Sequence, residues 1–299
     1  MNGKIVIRKK NSITISDEIT RSARPFIKWA GGKTQLLNAL LEKIPRSVNT
    51  YYEPFVGGGA VFFALISNPE FKVKKAVLND SNYELIQTYL MIRDELDALI
   101  NYLNPIAMQY LESDAEQRKE FFYEIRANIP NNDIQKAGRL LFLNKTCFNG
   151  LYRVNQKGEF NVPHGRYKNP KILDVELLTL ASHALQDTEL ICGDFEDSYK
   201  KAKNGDFVYL DPPFFPLSPT SNFTSYTKYS FGREDHLRLK WSIDQLRKKD
   251  VAIMLSNSPH EWVVGLYEGS KYTINRTPAR RSINSKGDQR GEIDELIIS

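Results

Sequence analysis

The stretch Glu53-Pro54-Phe55-Val56-Gly57-Gly58-Gly59 limits the fold more than any other part of this chain. A short apolar run ends in it, and Ala60 to Ile66 follows with the unbroken apolar character of a buried helix. A second apolar run closes on Leu78-Asn79-Asp80 after a brief charged stretch. Strand, glycine turn, helix and strand in that order predict the opening βαβ unit of a doubly wound α/β sheet. Glycines let the backbone approach a ligand at the carboxyl end of a parallel strand without Cβ clashes. The dinucleotide fingerprint G-x-G-x-x-G is not met, because Phe62 stands where its third glycine would be. The turn therefore predicts a ligand without a pyrophosphate, and Asp80, at the end of the next strand, is placed to accept hydrogen bonds from ribose hydroxyls.

The same alternation of elements resumes late in the chain with ELICGD, DFVYLDPPF and VAIMLSNS, and closes with KYTINRT and EIDELIIS as the last two strands. Between the two halves, Tyr83 to about Ala127 has helical periodicity with charged faces. It leads into LYRVNQKGEFNV, where alternating runs flank Asn155-Gln156-Lys157-Gly158, a turn with glycine at its last position that predicts a hairpin. Residues 1 to about 24 are polar with little periodicity and read as an extension. The expected organisation is an extension over 1–24, a discontinuous catalytic domain over 25–82 and 186–299, and an insert over 83–185.

Asp211-Pro212-Pro213-Phe214, directly after the apolar strand Phe207-Val208-Tyr209-Leu210, is the most specific motif. The exocyclic amine of adenine is a poor nucleophile because its lone pair is delocalised into the ring. A catalyst must accept hydrogen bonds from both N–H groups and draw the nitrogen toward tetrahedral geometry. Asp211 would supply a carboxylate and Pro212 its carbonyl, on a turn that proline stiffens. Phe214 would stack on a base swung out of a duplex, since N6 of a stacked base is sterically blocked. A further cluster, Lys28-Trp29-Ala30-Gly31-Gly32-Lys33-Thr34, ends like a phosphate-binding loop, but Ile27 occupies the position of that motif's first glycine. It reads instead as a close approach to a ligand, with Trp29 packing an apolar or sulfonium-bearing chain and Lys33 meeting a carboxylate.

In this order KWAGGK, EPFVGGGAVFF, LND, NG-L-x-R with GEFNVPxGRYKNP, DPPF, PLSPTSNFTSY and RRSINSKG make the chain resemble the Dam-type, alpha-group family of DNA adenine N6 methyltransferases. The resemblance runs from about Pro25 to the end, and the best-known members of that family act at GATC. It implies a Rossmann-like class I methyltransferase sheet with an inserted helical and β-hairpin target-recognition domain. It implies an S-adenosylmethionine site, releasing S-adenosylhomocysteine, formed by Trp29, Lys33, Asp80, Asp211 and the turn that carries Phe55, Gly57 and Gly59, with Asp194 and Phe195 near the adenosyl base. The family usually has tyrosine where Phe214 stands; stacking survives that change and a hydroxyl is lost. Related glutamine N5 methyltransferases carry Asn-Pro-Pro-Tyr where Asp211-Pro212-Pro213-Phe214 stands here. Adenine in RNA and a DNA-binding homologue with impaired catalysis are the alternatives left open.

Charge agrees with a polyanionic partner. The net charge is +5, and the basic residues cluster: Arg153, Lys157, Arg166, Lys168 and Lys171 in one stretch, Arg276, Arg280, Arg281, Lys286 and Arg290 in another. Arg153, Asn155, Lys157, Asn161, Pro163, Arg166, Tyr167 and Lys168, on or beside the hairpin, are the expected DNA contacts. Asn222 and Tyr226 in the loop after DPPF, and Arg281, are expected to add to them. Two cysteines and four scattered histidines show no metal-ligand spacing, so no metal is expected. No apolar segment of signal-peptide or membrane-spanning length occurs. The expectation is a cytoplasmic, prokaryotic or phage enzyme, a monomer or weak dimer on double-stranded DNA, any restriction endonuclease partner being genetic rather than a stable complex.

Overall fold

The apolar runs of β2, β3, β4, β5 and β6 become strands whose carboxyl ends face the same side of one sheet. The computed structural model describes residues 5–7, 23–216, 231–269, 271–280 and 292–299. Its strands are β1 (Ile5–Ile7), β2 (Ser47–Glu53), β3 (Lys72–Asp80), β4 (Thr188–Cys192), β5 (Phe207–Leu210), β6 (Ala252–Asn257), β7 (Ile274–Arg280) and β8 (Glu292–Ile298). They lie in the order β1-β4-β3-β2-β5-β6-β8-β7. β4, β3, β2, β5 and β6 are mutually parallel, whereas β8 runs antiparallel to both β6 and β7. The order from β4 to β7, with β8 reversed beside the edge strand β7, is the class I methyltransferase sheet, and β1 adds an antiparallel strand at the other edge. The chain starts at β2, winds outward through β3 to β4, then returns to β5 on the other side. The crevice between the carboxyl ends of β2 and β5 is therefore a topological switch point, where doubly wound sheets bind ligands.

Side chains alternate across the strands, so each apolar strand feeds two cores. Tyr51, Phe207 and Tyr209 join one buried cluster, and Tyr52, Val208 and Leu210 join the other. The first cluster also takes in α2 (Ala60–Ser67), α3 (Tyr83–Asp94), α4 (Leu96–Glu112), α5 (Ala115–Ala127), α6 (Asp133–Thr146) and α7 (Val175–Leu185), through Phe63, Tyr89, Leu99, Phe122, Phe142 and Leu185 among others. The helices of the segment 83–185 thus share one apolar core with a face of the sheet. The second face is covered by α8 (Phe195–Tyr199), α9 (Arg233–Arg247) and α10 (Glu261–Tyr267), with Leu239, Ile243 and Val263 buried. Helix starts follow their capping residues: the Asn82 side chain accepts from the Leu85 N–H at 3.0 Å at the head of α3, and Asp114 with Gln117 forms a capping box on α5.

Three details differ from the sequence pattern. QLLNALLEKI is a 3-10 turn, Lys33–Gln35, and then a short helix α1, Leu37–Leu41, rather than one continuous helix. The hairpin is closed as expected, with Gly158 at φ +83° and its N–H donating to the Asn155 carbonyl at 2.9 Å. Its arms, however, make only the isolated bridges Val154 to Phe160 and Cys147 to His164 among the described residues. Pro163 interrupts the donor ladder there. Finally, the N-terminal extension contributes β1, an antiparallel edge strand on β4; three residues are too few for periodicity to register. No helix among the described residues is long and apolar enough to cross a membrane.

Candidate active site

Two strand ends build one half of the crevice. Beyond Glu53 the chain turns through Gly57 at φ +47° and Gly59 at φ +70°. A Cβ on Gly57 would lie 2.8 Å from Trp29 Cδ1, and one on Gly59 2.7 Å from the Tyr89 hydroxyl, so both positions need glycine for space as well as for conformation. Tyr89 donates to the Gly57 carbonyl at 3.0 Å. Asp80, at the end of β3, accepts from the Gly57 N–H at 3.1 Å and the Asn82 N–H at 2.9 Å. Burial pushes its carboxyl up to about 6 against these hydrogen bonds. Trp29 stacks on Tyr152 at 4.9 Å and 21°, which ties the turn to the start of the hairpin.

Farther along the same edge, Phe55 stacks on Phe195 with centroids 5.4 Å apart, and Phe231 closes edge-on against Phe55 at 5.6 Å. Asp194 caps α8 by accepting from the Glu196 N–H, and Arg238 pairs with it at 2.9 Å while lying 4.3 Å over the Phe195 ring. These groups form an aromatic cluster with a charged rim beside the glycine turn.

The other half is the end of β5. Asp211 meets the Lys33 ammonium at 2.8 Å. Among the described residues its Oδ1 takes no hydrogen bond apart from that contact. Burial raises the Asp211 carboxyl above its ordinary range, with the Lys33 charge pulling the other way. Lys33 is buried, donates to the Gly31 carbonyl at 2.8 Å, sits 4.6 Å over the Phe214 ring, and lies 3.7 Å from Glu295 Oε2. Burial alone would lower it, yet Asp211 and Glu295 hold it above the ordinary lysine value. Just past the motif the Phe215 N–H donates to Asn257 Oδ1 at 3.3 Å, and the Ser258 hydroxyl donates to the Phe215 carbonyl at 2.8 Å. Phe215 also packs against Trp262 at 4.6 Å and His260 at 4.8 Å. The segment from Asp211 to Phe215 is held by Lys33 at one end and by Asn257 and Ser258 at the other.

The sequence model of the D12 class of N6 adenine-specific DNA methyltransferases matches residues 29–283. The chain is 46% identical over 289 residues to the type II methyltransferase M.MjaIII of Methanocaldococcus jannaschii, covering 92% of this chain and 98% of that protein. It is 42% identical over 284 residues to type II methyltransferase M1.LlaDCHI of Lactococcus lactis subsp. cremoris, covering 92% and 95%. To the DNA adenine methylase of Escherichia coli (strain K12) it is 34% identical over 276 residues, covering 92% and 94%. The chain belongs to the D12 class of N6 adenine-specific DNA methyltransferases. Of the residues singled out in this methyltransferase's sequence, Trp29, Gly57, Gly59 and Asp80 come together, Phe55 stacks on Phe195 next to Asp194, and Lys33, Asp211 and Phe214 form one cluster.

The methyltransferase's hairpin residues lie in a separate group. Arg153 donates to Asn161 Oδ1 at 2.7 Å, and Asn155 donates to Glu159 at 2.9 Å. Lys157, Arg166, Tyr167 and Lys168 are exposed, Arg166 with φ +54°. The Pro163 carbonyl accepts from the Phe148 N–H at 2.8 Å. Asn222, Tyr226 and Arg281 lie outside the described residues. Sequence reasoning missed Glu53, Tyr152, Asn257 and Glu295. Asn257 was accessible, because it ends β6 as Asp211 follows β5; Glu295 stood out only as an acid inside an apolar run. Glu53 was quoted as the end of a strand, but nothing in its neighbours revealed its burial. It accepts from the Tyr51 hydroxyl at 2.8 Å, and burial pushes it up to about 8.

Proposed function

We propose that this DNA adenine methyltransferase takes its methyl group from S-adenosylmethionine and transfers it to N6 of an adenine turned out of double-stranded DNA, within GATC. The observation that carries the reading is the placement of Asp211 across the switch point from the glycine turn and Asp80. The turn suits such a cofactor, since its glycines leave backbone without side chains beside the Asp80 carboxylate at the carboxyl end of β2. Asp80 would accept from the ribose hydroxyls, the Phe55 and Phe195 pair would pack beside the adenosyl ring with Asp194 at its edge, and Trp29 and Lys33 would meet the methionine end. When bound, the cofactor would supply an electrophilic methyl group on a sulfonium.

The chain's own part is to prepare the amine. Asp211 and the Pro212 carbonyl each accept one N–H of the target, which draws electron density back onto nitrogen and turns its lone pair out of the ring. Phe214 holds the extruded base by stacking, which keeps the nitrogen fixed and excludes water from one face. No covalent intermediate on the protein is needed. Segment 83–185 would act as the target-recognition domain: Arg153, Lys157, Arg166 and Lys168 for phosphates, Asn155, Asn161, Pro163 and Tyr167 among the base-edge contacts.

The deciding experiment is transfer of labelled methyl from S-adenosylmethionine to two duplexes, one with GATC and one with its adenine moved out of that context. Label on the GATC duplex alone is expected. Label on both retires the target sequence, and label on neither retires the reading. Asp211→Ala is expected to lower turnover by about 100-fold or more while calorimetry still detects cofactor binding; full activity in that variant refutes the role of Asp211. The type II methyltransferases among the relatives favour an enzyme that protects DNA against a restriction endonuclease encoded nearby.

A further inference from the structure

Lys33 is a shared cation. Its ammonium stands 2.8 Å from Asp211 Oδ1 and 3.7 Å from Glu295 Oε2, and the two acids come from different strands. Asp211 follows β5, whereas Glu295 is delivered by β8. Glu53 and Tyr51 on β2, and Tyr209 on β5, are the other described titratable groups that face the pair. Burial keeps Glu53 protonated at neutral pH, and the two tyrosines stay neutral there. The cluster is thus two carboxylates around one ammonium.

That ratio matters for the reaction. A carboxylate wholly engaged by an ammonium is a weak hydrogen-bond acceptor, because its charge is already met. Asp211 must nevertheless accept an amine N–H. A second acid beside Lys33 divides the cation and restores basicity to the first. We propose that Glu295 is a positioning residue for methyl transfer: by sharing the Lys33 ammonium with Asp211 it leaves the Asp211 carboxylate basic enough to receive the target amine. The inference rests on the reading of Asp211 as the acceptor of that amine.

The test is the pH profile of kcat and of kcat/KM for the full chain with S-adenosylmethionine and a duplex containing the target adenine. Without the Glu295 charge, Lys33 belongs to Asp211 alone and the Asp211 carboxylate is favoured. The acid limb of E295Q is therefore expected about one pH unit below that of the unaltered enzyme, and its plateau kcat roughly 10-fold lower. E295D, which keeps the charge on a shorter stem, is expected between the two in both quantities. Cofactor Kd from calorimetry should change by less than about 3-fold, which separates this role from simple loss of a cofactor contact. An acid limb that does not move in E295Q overturns the proposal, as does a collapse of cofactor binding that accounts for the whole loss. Where E295Q loses its cooperative melt, E295D decides: a limb displaced to lower pH supports the assignment and an undisplaced limb overturns it. D211N provides the separate control, since full activity there would retire the Asp211 reading whatever Glu295 does.

Discussion

The Phe214 ring lies under the Lys33 ammonium at 4.6 Å, and on the proposed reading it also stacks on the extruded base. Phe214→Ala removes both, and turnover is expected to fall by about 10- to 100-fold, the range of one base-stacking interaction. Phe214→Tyr keeps the ring and should hold near the parent rate. Steady-state kinetics on both variants measures this, and equal rates would dismiss stacking. Asp80 gives a pH dependence whose sign is set by the carboxylate. In its proposed role only the charged form would accept from two ribose hydroxyls while holding the Gly57 and Asn82 N–H groups, and burial places its titration at about 6. Cofactor affinity is expected to be full well above pH 6 and to decline as the pH falls through that value. Calorimetry across pH 5 to 8, the order-of-magnitude span around the shifted carboxyl, checks it; a flat profile would contradict the ribose assignment.

Among the elements, the hairpin and the cofactor turn meet through one ring pair. Tyr152 is buried, stacks on Trp29, and its hydroxyl donates to Glu84 at 2.8 Å, a residue on α3 just beyond Asp80. Tyr152→Leu is expected to weaken S-adenosylmethionine binding by roughly 3- to 10-fold, as loss of about 1 kcal/mol of aromatic packing implies. A Kd indistinguishable from that of the unaltered protein would show that the hairpin and the cradle are independent. This coupling was not visible beforehand, since Tyr152 is far from both partners in sequence and no spacing rule relates them. What could be read were the elements with strong local signals. The parallel strands show as apolar runs ending in Glu53, Asp80 and Asp211, and the turn at Gly158 shows through its glycine. Strand β1 is too short to declare itself. The sharing of Lys33 by Asp211 and Glu295 depends on which strands become neighbours, which local pattern does not encode.

For the whole molecule, buried carboxyls make stability fall as the solution becomes more alkaline. Glu53 is 3% exposed and titrates at about 8 in the fold, against roughly 4.3 in an unfolded chain. Between those values the folded protein holds a proton that the unfolded chain has lost, so stability declines with rising pH across that window. Glu53→Gln cannot ionise and should escape this decline. Its melting temperature relative to the parent is expected to rise steadily from pH 5 to pH 8, a span chosen to cover most of the linkage window. Parallel melting curves for the two proteins at every pH would show that Glu53 is already ionised in the fold.

The order β6-β8-β7 also has a consequence for assembly in time. β7 is synthesised before β8, yet its pairing to the sheet runs through β8. While the ribosome is still extending the chain, β7 has no seat beside β6, and Lys33, made long before, has only one of its two acids. The hairpin of β7 and β8 must therefore dock as a unit after its second arm emerges. Until that moment the flank of β6 stays open and Lys33 faces Asp211 without Glu295, so the charge balance proposed for methyl transfer is set only once β8 is in place.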